Sequence, residues 1–327
     1  MKKRTNAGKI AYFSIILILI LVMLYSGLRI VESTIFYNKS IPQDQRVSKT
    51  IERNGVAYFP RQDITVLMVL GVDRYGIAQP SGSYNNTCDA DMVMLLIFDE
   101  TNEKYDVLYL NRDTMVEMPV LGIGGKQAGT MFGQLALSHT YGSGMKDSCE
   151  NVKKTLEAML HGLSVDYYVS MRMDAISILN DSVGGVPVEV VDDFSDVDPS
   201  IPMGAHVLKG EQAISYVQTR KDVGDQKNIT RMERQQEYVR NFIEAFRNCT
   251  ETDAEFVLKT YEQVSPYIVT DCSANTLSSM LSRFSDYSQG EIYTPAGENV
   301  LGETYYEFYA DEEALDSLIL QLFYAPK

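Results

Sequence analysis

The sequence predicts an α/β protein: a central mixed β-sheet covered by helices in α/β/α layers, preceded by one N-terminal transmembrane helix. Three observations carry this expectation. The run Ile10–Leu28 holds no charge and is dominated by Ile, Leu, Val and Met. Short apolar runs at Ile64–Leu70, Met92–Phe98 and Val107–Leu110 each end in turn-forming or charged residues, the pattern of buried strands meeting loops. Segments of helical spacing alternate with them, which places helices over the sheet.

Nineteen residues from Ile10 to Leu28 reach roughly 28 Å as a helix, close to the hydrocarbon thickness of a bilayer. Tyr25-Ser26-Gly27-Leu28-Arg29 follows instead of a small-residue cleavage site, so a retained anchor is favoured over a cleaved signal. Residues 32–62, with Pro42 and Pro60, read as a polar spacer. After the three strands, Gly122–Gly133 is expected as a glycine-laden loop, Lys146–His161 as a helix and Tyr167–Met171 as a strand. Asp174 is expected to cap a helix that ends at Gly184-Gly185. A strand at Val188–Val191 and helices at Gly210–Val217 and Arg231–Phe246 come next. The tail adds a helix near Ala254–Tyr261, strands near Ile292 and Tyr305, and a closing helix Glu312–Phe323. The organisation predicted is a cytoplasmic tail (1–9), an anchor (10–28), a linker (29–62) and one extracellular domain (63–327) whose last part, 246–327, completes the sheet.

The 327 residues are 45% hydrophobic and 22% charged, which excludes wholesale disorder, collagen and coiled coil. The first 31 residues hold five basic groups and no acid; the remainder holds 24 basic and 44 acidic residues, a net of −20. That imbalance keeps the N-terminus in the cytoplasm, faces the acidic bulk outward and argues against a nucleic-acid partner. Cys88, Cys149, Cys249 and Cys272 form no Cys-x-x-Cys pair, and His139, His161 and His206 are scattered, so a zinc site is disfavoured. Four cysteines outside a cell allow two disulfides in one of three pairings, with free thiols as the alternative.

Charged groups collect where strands end: Asp73 and Arg74, then Asp91, then Arg112 and Asp113. A further set follows the Gly210 helix: Arg220, Asp222, Asp225, Arg231, Arg234, Gln235 and Gln236. Strand-end loops expose groups that a rigid sheet positions. Carboxylates without histidine or cysteine suit a hard cation such as Mg²⁺, and arginine's planar fork suits phosphate oxygens. Together they point to a pyrophosphate site with a metal. Taken singly, each has a plainer reading, since a lone strand-end aspartate is commonly a turn or cap. Arg234 also sits three residues before Glu237, a spacing that suits a solvated helix pair.

At these residues the chain resembles the LytR-CpsA-Psr family. The strand into Gly71-Val72-Asp73-Arg74, Ala90-Asp91-Met92, Asn111-Arg112-Asp113-Thr114, Val183-Gly184-Gly185, Leu208–Ala213, Tyr216–Arg220, Gly224-Asp225 and Arg231–Gln236 are similar to its motifs, in order, over residues 64–245. The resemblance implies a phosphotransferase that moves a glycopolymer of teichoic acid or capsular type from undecaprenyl pyrophosphate to a peptidoglycan muramyl hydroxyl. It implies Mg²⁺, or Mn²⁺ in its place, held by Asp73 and Asp91, and a hydrophobic groove for the lipid. Arg74, Arg112, Arg220, Arg231, Arg234 and Gln235 are implied as pyrophosphate-binding. Asp91, Arg112 and Asp225 are implied as catalytic, with Asp113 and Asp222 as supporting acids. The expected location is a Gram-positive type cell membrane, single-pass, domain outside.

Four positions depart from the family's pattern: Asp89 and Gln218 where arginine is common, and Gln134 and Ala136 in a stretch that usually carries Lys-Ile-Asn. A non-catalytic module binding polyprenyl phosphates or wall glycans therefore stands as one alternative, and a pyrophosphatase acting on the same carrier, which would share every residue named, as another. The tyrosines at 305, 306 and 309 are expected to pack in a sheet.

Overall fold

The computed structural model describes residues 50–326, apart from 54, 220, 225–227, 254, 274, 275, 277, 278, 281, 282, 285 and 286. The expected anchor over 10–28 and the residues Arg220 and Asp225 lie outside the described residues. Among those described, no helix is long and apolar enough to cross a membrane.

The strands are β1 (Ile51–Arg53), β2 (Val56–Pro60), β3 (Ile64–Val72), β4 (Ala90–Asp99), β5 (Lys104–Leu110), β6 (Met115–Leu121), β7 (Gln127–Gln134), β8 (Tyr167–Arg172), β9 (Val186–Val190), β10 (Gly204–Leu208), β11 (Ile268–Thr270), β12 (Ser288–Tyr293), β13 (Gly297–Leu301), β14 (Tyr306–Ala310) and β15 (Tyr324–Pro326). The α-helices are α1 (Lys146–Met159), α2 (Asp174–Ser182), α3 (Gln212–Gln218), α4 (Asn228–Thr252), α5 (Phe256–Val264) and α6 (Glu312–Phe323).

Six strands form the central sheet in the order β11-β8-β3-β4-β5-β12. It is mixed: β8 pairs parallel with β3 and β12 parallel with β5, while β3–β4, β4–β5 and β8–β11 are antiparallel. The apolar runs of β3 and β4 are continuous because both faces of the sheet are covered. On β3, Val66, Met68 and Leu70 face one core with Val152 and Leu156 of α1 and Leu322 of α6. Leu67 and Val69 face the opposite core with Met94, Leu96 and Phe284. A third cluster packs β9 and β10 against α2, α3 and Tyr238, Phe242 and Phe246 of α4. Each fully buried Leu, Val or Phe adds about 1.5–3 kcal/mol, so helices on both faces are what hold the sheet.

Several elements differ from expectation. The stretch expected as a glycine loop is the β6–β7 hairpin; its glycines at 122, 129 and 133 interrupt the alternation by which a strand is recognised. Asp174 opens α2 but does not cap it: its Oδ2 accepts from Gly76 N at 2.7 Å, tying the loop after β3 to the helix. The stretch expected as spacer contains β1 and β2, and β2 pairs with β15 at the far end of the chain. β11 and β12, from residues beyond 246, form the two edges of the central sheet. All four cysteines are free thiols, which corrects the two-disulfide alternative; Cys88 and Cys149 are buried as small apolar groups, and Cys249 and Cys272 are half-buried.

Candidate functional site

The site grows from the pairing of three strands. In the β4–β5 ladder Val93 faces Leu110, so one step beyond on the same face Asp91 faces Arg112, just past the end of β5. In the β3–β4 ladder a register shift after Gly71 brings Val72 opposite Ala90, and Asp73 N donates to Asp89 O at 3.0 Å. Asp73, Asp89, Asp91 and Arg112 therefore emerge at one end of the sheet. β8 adds Arg172 in parallel register with Val72, and the first turns of α4 lay Arg231 over Asp91.

Arg112 is the hub. Its Nη2 donates to Asp89 Oδ2 at 3.0 Å, its Nη1 rests against Asp91 Oδ1, and its Nε lies 3.6 Å from Asp113 Oδ1. Arg231 Nη1 stands 3.6 Å from Asp91 Oδ2. The Asp91 side chain is only 12% exposed, and a carboxylate this far out of water is stable only beside such cations. Asp113 is buried; its Oδ1 accepts Gln134 Nε2 at 3.1 Å, and its backbone N–H donates to Asn111 Oδ1 at 3.0 Å.

The expected site residues do not all converge. Arg74 donates to Cys88 Sγ at 2.9 Å. Asp73 is exposed, and Gln218 Nε2 donates to its Oδ1 at 2.8 Å. Gln235 bridges Val217 O and the Tyr109 hydroxyl, at 2.8 and 3.1 Å; burial pushes that phenol up to about 12. Arg234 is turned inward: it donates to Asp192 Oδ2 at 2.5 Å, to Tyr216 O at 3.1 Å and to Thr219 O, with its guanidinium 5.4 Å from the Phe194 ring centre. Asp222 is exposed in a left-handed turn, φ 60°. That turn closes at Gly224, where a Cβ would stand 2.7 Å from Asp192 Oδ1, so only glycine fits against the Arg234–Asp192 pair.

Two residues near the site were given no part in it by the sequence. Arg172 is buried and donates to Ile77 O at 2.7 Å and to Gln79 O at 3.2 Å, holding the loop after Asp73; burial, ahead of neighbouring Arg74, pushes its pKa down. His139 is buried behind the site with Nδ1 2.8 Å from Cys88 O, and burial lowers its pKa to about 4. Neither carries a local signal: one ends an apolar strand and the other sits in a short 3₁₀ turn.

Beside the charged end lies an apolar cavity of about 120 Å³, walled by Met92, Met171, Ile176, Leu179, Val239 and Phe242, with Asp91, Arg231, Arg172 and Gln218 also in its lining. A cleft of hydrocarbon that carries a few charged groups in its wall fits an amphiphile.

The chain matches the LytR_cpsA_psr family over residues 25–322. It belongs to the LytR-CpsA-Psr family. One curated relative, Bacillus subtilis (strain 168) "Polyisoprenyl-teichoic acid–peptidoglycan teichoic acid transferase TagV", is 27% identical over 212 residues, 63% of this chain and 49% of the relative. TagT of the same organism is 26% identical over 60% of this chain and 56% of its own length, so the chain spans about half the length of these two relatives. Among solved structures, protein gbs0355 from Streptococcus agalactiae superposes with a TM-score of 0.63 at 19% identity, covering 80% of this chain and 86% of that one. At these identities the superposition speaks to the fold, and the α/β/α layers are those of the LytR-CpsA-Psr structures.

The acidic residues at the sheet end supply oxygen donors only. Among the described residues no three acidic, histidine or cysteine side chains converge as a metal cage. Asp73 and Asp91 offer carboxylate oxygens, the donor type that a hard cation takes together with water and phosphate oxygens, while Asp91 already faces Arg112 and Arg231.

Proposed function

We propose that this LytR-CpsA-Psr protein is a phosphotransferase that moves a polyprenyl-pyrophosphate-linked glycopolymer, of teichoic acid or capsular type, onto a muramyl hydroxyl of peptidoglycan. The observation that carries the reading is the apolar cavity with Asp91 and Arg231 in its lining. The cavity admits about one isoprene unit of a polyprenyl chain, and the pyrophosphate joined to it then meets Arg231 and Arg112. The relative's printed name, a transferase of teichoic acid to peptidoglycan, agrees.

The acceptor oxygen attacks the phosphorus that bears the sugar. The bond from that phosphorus to the bridging oxygen breaks, and polyprenyl phosphate leaves. Charge spreads over the phosphate oxygens in the transition state, and preset guanidiniums meet it without reorganising. Asp91 and Asp89 hold the Arg112 fork at the sheet end, and Arg172 holds the loop that carries Asp73 and Arg74. The acceptor proton passes to a carboxylate, Asp91 or Asp225. Mg²⁺ or Mn²⁺ at Asp73 and Asp91 would supply further neutralisation of the leaving pyrophosphate oxygens. Residues 10–28 anchor the enzyme in the membrane, with the N-terminus cytoplasmic and the domain outside.

The test incubates the full chain in detergent with a polyprenyl-pyrophosphoryl oligosaccharide and peptidoglycan oligomers, with and without Mg²⁺, and reads products by mass spectrometry. A glycan-phosphate-muramyl product that vanishes without metal and in Asp91→Ala and Arg112→Ala supports the transferase. Free sugar phosphate alone would mean a pyrophosphatase. The Gln218 amide on Asp73 Oδ1 favours one further reading, a binding module, and intact carrier that stays bound without Mg²⁺ would establish it.

A further inference from the structure

We infer that the β13–β14 hairpin is a docking face for the acceptor: an uncharged N-acetylhexosamine glycan strand. This rests on the transferase reading, because it assigns that site's second substrate. The hairpin is joined to the catalytic end of the sheet. Phe308 N donates to Asp113 O at 2.8 Å, Thr114 bridges to Phe308, and Gln134 Nε2 donates both to Asp113 Oδ1 and to Tyr306 O, the latter at 2.7 Å. Asp113 in turn neighbours Arg112. Arg112 touches both Asp91, which lines the apolar cavity, and Asp113, which holds the hairpin, so two substrates would meet at that guanidinium.

The outer face of the hairpin has the chemistry of a sugar site. Glu307 and Tyr309 share one face by the two-residue alternation of β14, and Tyr305 stands in the bend just before that strand. Tyr305 is 69% exposed and Tyr309 43% exposed, so the tyrosines do not pack as expected from sequence. Between them the Glu307 carboxylate accepts the Tyr309 hydroxyl at 2.7 Å. A Cβ on Gly302 would stand 2.5 Å from Glu307 Oε1, so glycine there leaves room for the carboxylate in this position. Two aromatic faces offer apolar stacking for the C–H faces of sugar rings, and a fixed carboxylate accepts from sugar hydroxyls.

Charge decides which substrate belongs here. Residues 297–313 contain six acidic residues and no Lys or Arg, a surface that repels a phosphate-rich donor polymer and leaves a neutral glycan free to bind.

The test is calorimetric titration of the full chain in detergent with two probes, an uncharged N-acetylglucosamine hexasaccharide and, separately, decaprenyl phosphate. We expect Tyr305→Ala/Tyr309→Ala to weaken the glycan roughly tenfold, two stacking contacts' worth, while decaprenyl phosphate binds as before. Tyr305→Phe/Tyr309→Phe, which keeps both rings, should retain most of the glycan affinity. Glycan binding that is absent in the parent, or unchanged in the alanine variant, overturns the inference. So does loss of decaprenyl phosphate binding along with the glycan, or a hairpin variant that changes only the oligomeric state by sedimentation. If the glycan binds through the hairpin but the parent takes no decaprenyl phosphate, the docking face stands and the transferase reading fails.

Discussion

Arg112 and Asp91 can be separated energetically by a double-mutant cycle. Asp91→Asn removes the charge that faces two guanidiniums; Arg112→Met removes the cation and keeps most of the stem. Breaking a fully buried pair costs about 3–5 kcal/mol. Here the side chains are 12% and 17% exposed, Asp91 keeps Arg231 at 3.6 Å and Arg112 keeps Asp89 at 3.0 Å. Each single variant should therefore lose about 2–3 kcal/mol, below the fully buried figure. The double variant leaves neither ion facing the other's vacancy and should lose about 3 kcal/mol, giving a coupling near 2 kcal/mol. Urea unfolding of the four proteins, followed by far-ultraviolet circular dichroism, measures all the terms. Additivity within about 0.5 kcal/mol would mean that the contact holds nothing, and the account of a preset Arg112 would fall with it.

Other consequences can be checked in the same protein. His139, lowered to about 4, binds its proton more weakly folded than unfolded; its contribution to stability is intact above about pH 6.5 and declines as pH falls towards 4, by about 3 kcal/mol. His139→Gln should flatten that part of the stability–pH curve, and an unchanged slope would show that the ring is not held neutral. Ile176→Trp should fill the apolar cavity at a cost below about 1 kcal/mol yet weaken polyprenyl phosphate binding roughly a hundredfold, since three or four CH₂-sized groups lose their seat; undiminished affinity in a binding titration would place the lipid elsewhere. Asp192→Ala, which strands the buried Arg234, should cost about 3 kcal/mol in a thermal or urea melt. A loss under 1 kcal/mol would show that Arg234 is free to serve phosphate instead.

Much of this architecture was legible where physical signals were local. β3, β4 and β5 announced themselves because a sheet covered on both faces needs unbroken apolar runs, and α6 matched its expected bounds, with Asp311 accepting from Ala314 N as its cap. The convergence of Asp91 and Arg112 was legible through strand ends. What escaped was non-local. The β6–β7 hairpin hides behind glycines, and β2 owes its existence to a partner at the other end of the chain. Arg234 looks like its neighbour Arg231 in sequence; only the turn at Gly224 and the ring of Phe194 show that one faces inward and the other the site. Gln134, a departure from the family's pattern, turns out to connect Asp113 with Tyr306, a role that no single stretch of sequence contains.

The pairing of β2 with β15 also sets an order of assembly. β2 is among the first parts of the domain to be synthesised, yet Tyr324 opposite Pro60 and Phe323 O accepting from Arg61 N come with almost the whole domain between them. Loop closure over such a span is slow and comes late. Until then β2 is an open edge, available to any other extended chain. β15 therefore works as a latch: a chain without it keeps its central sheet but leaves β2 exposed. Such truncation should appear as aggregation during biogenesis rather than as a weaker enzyme.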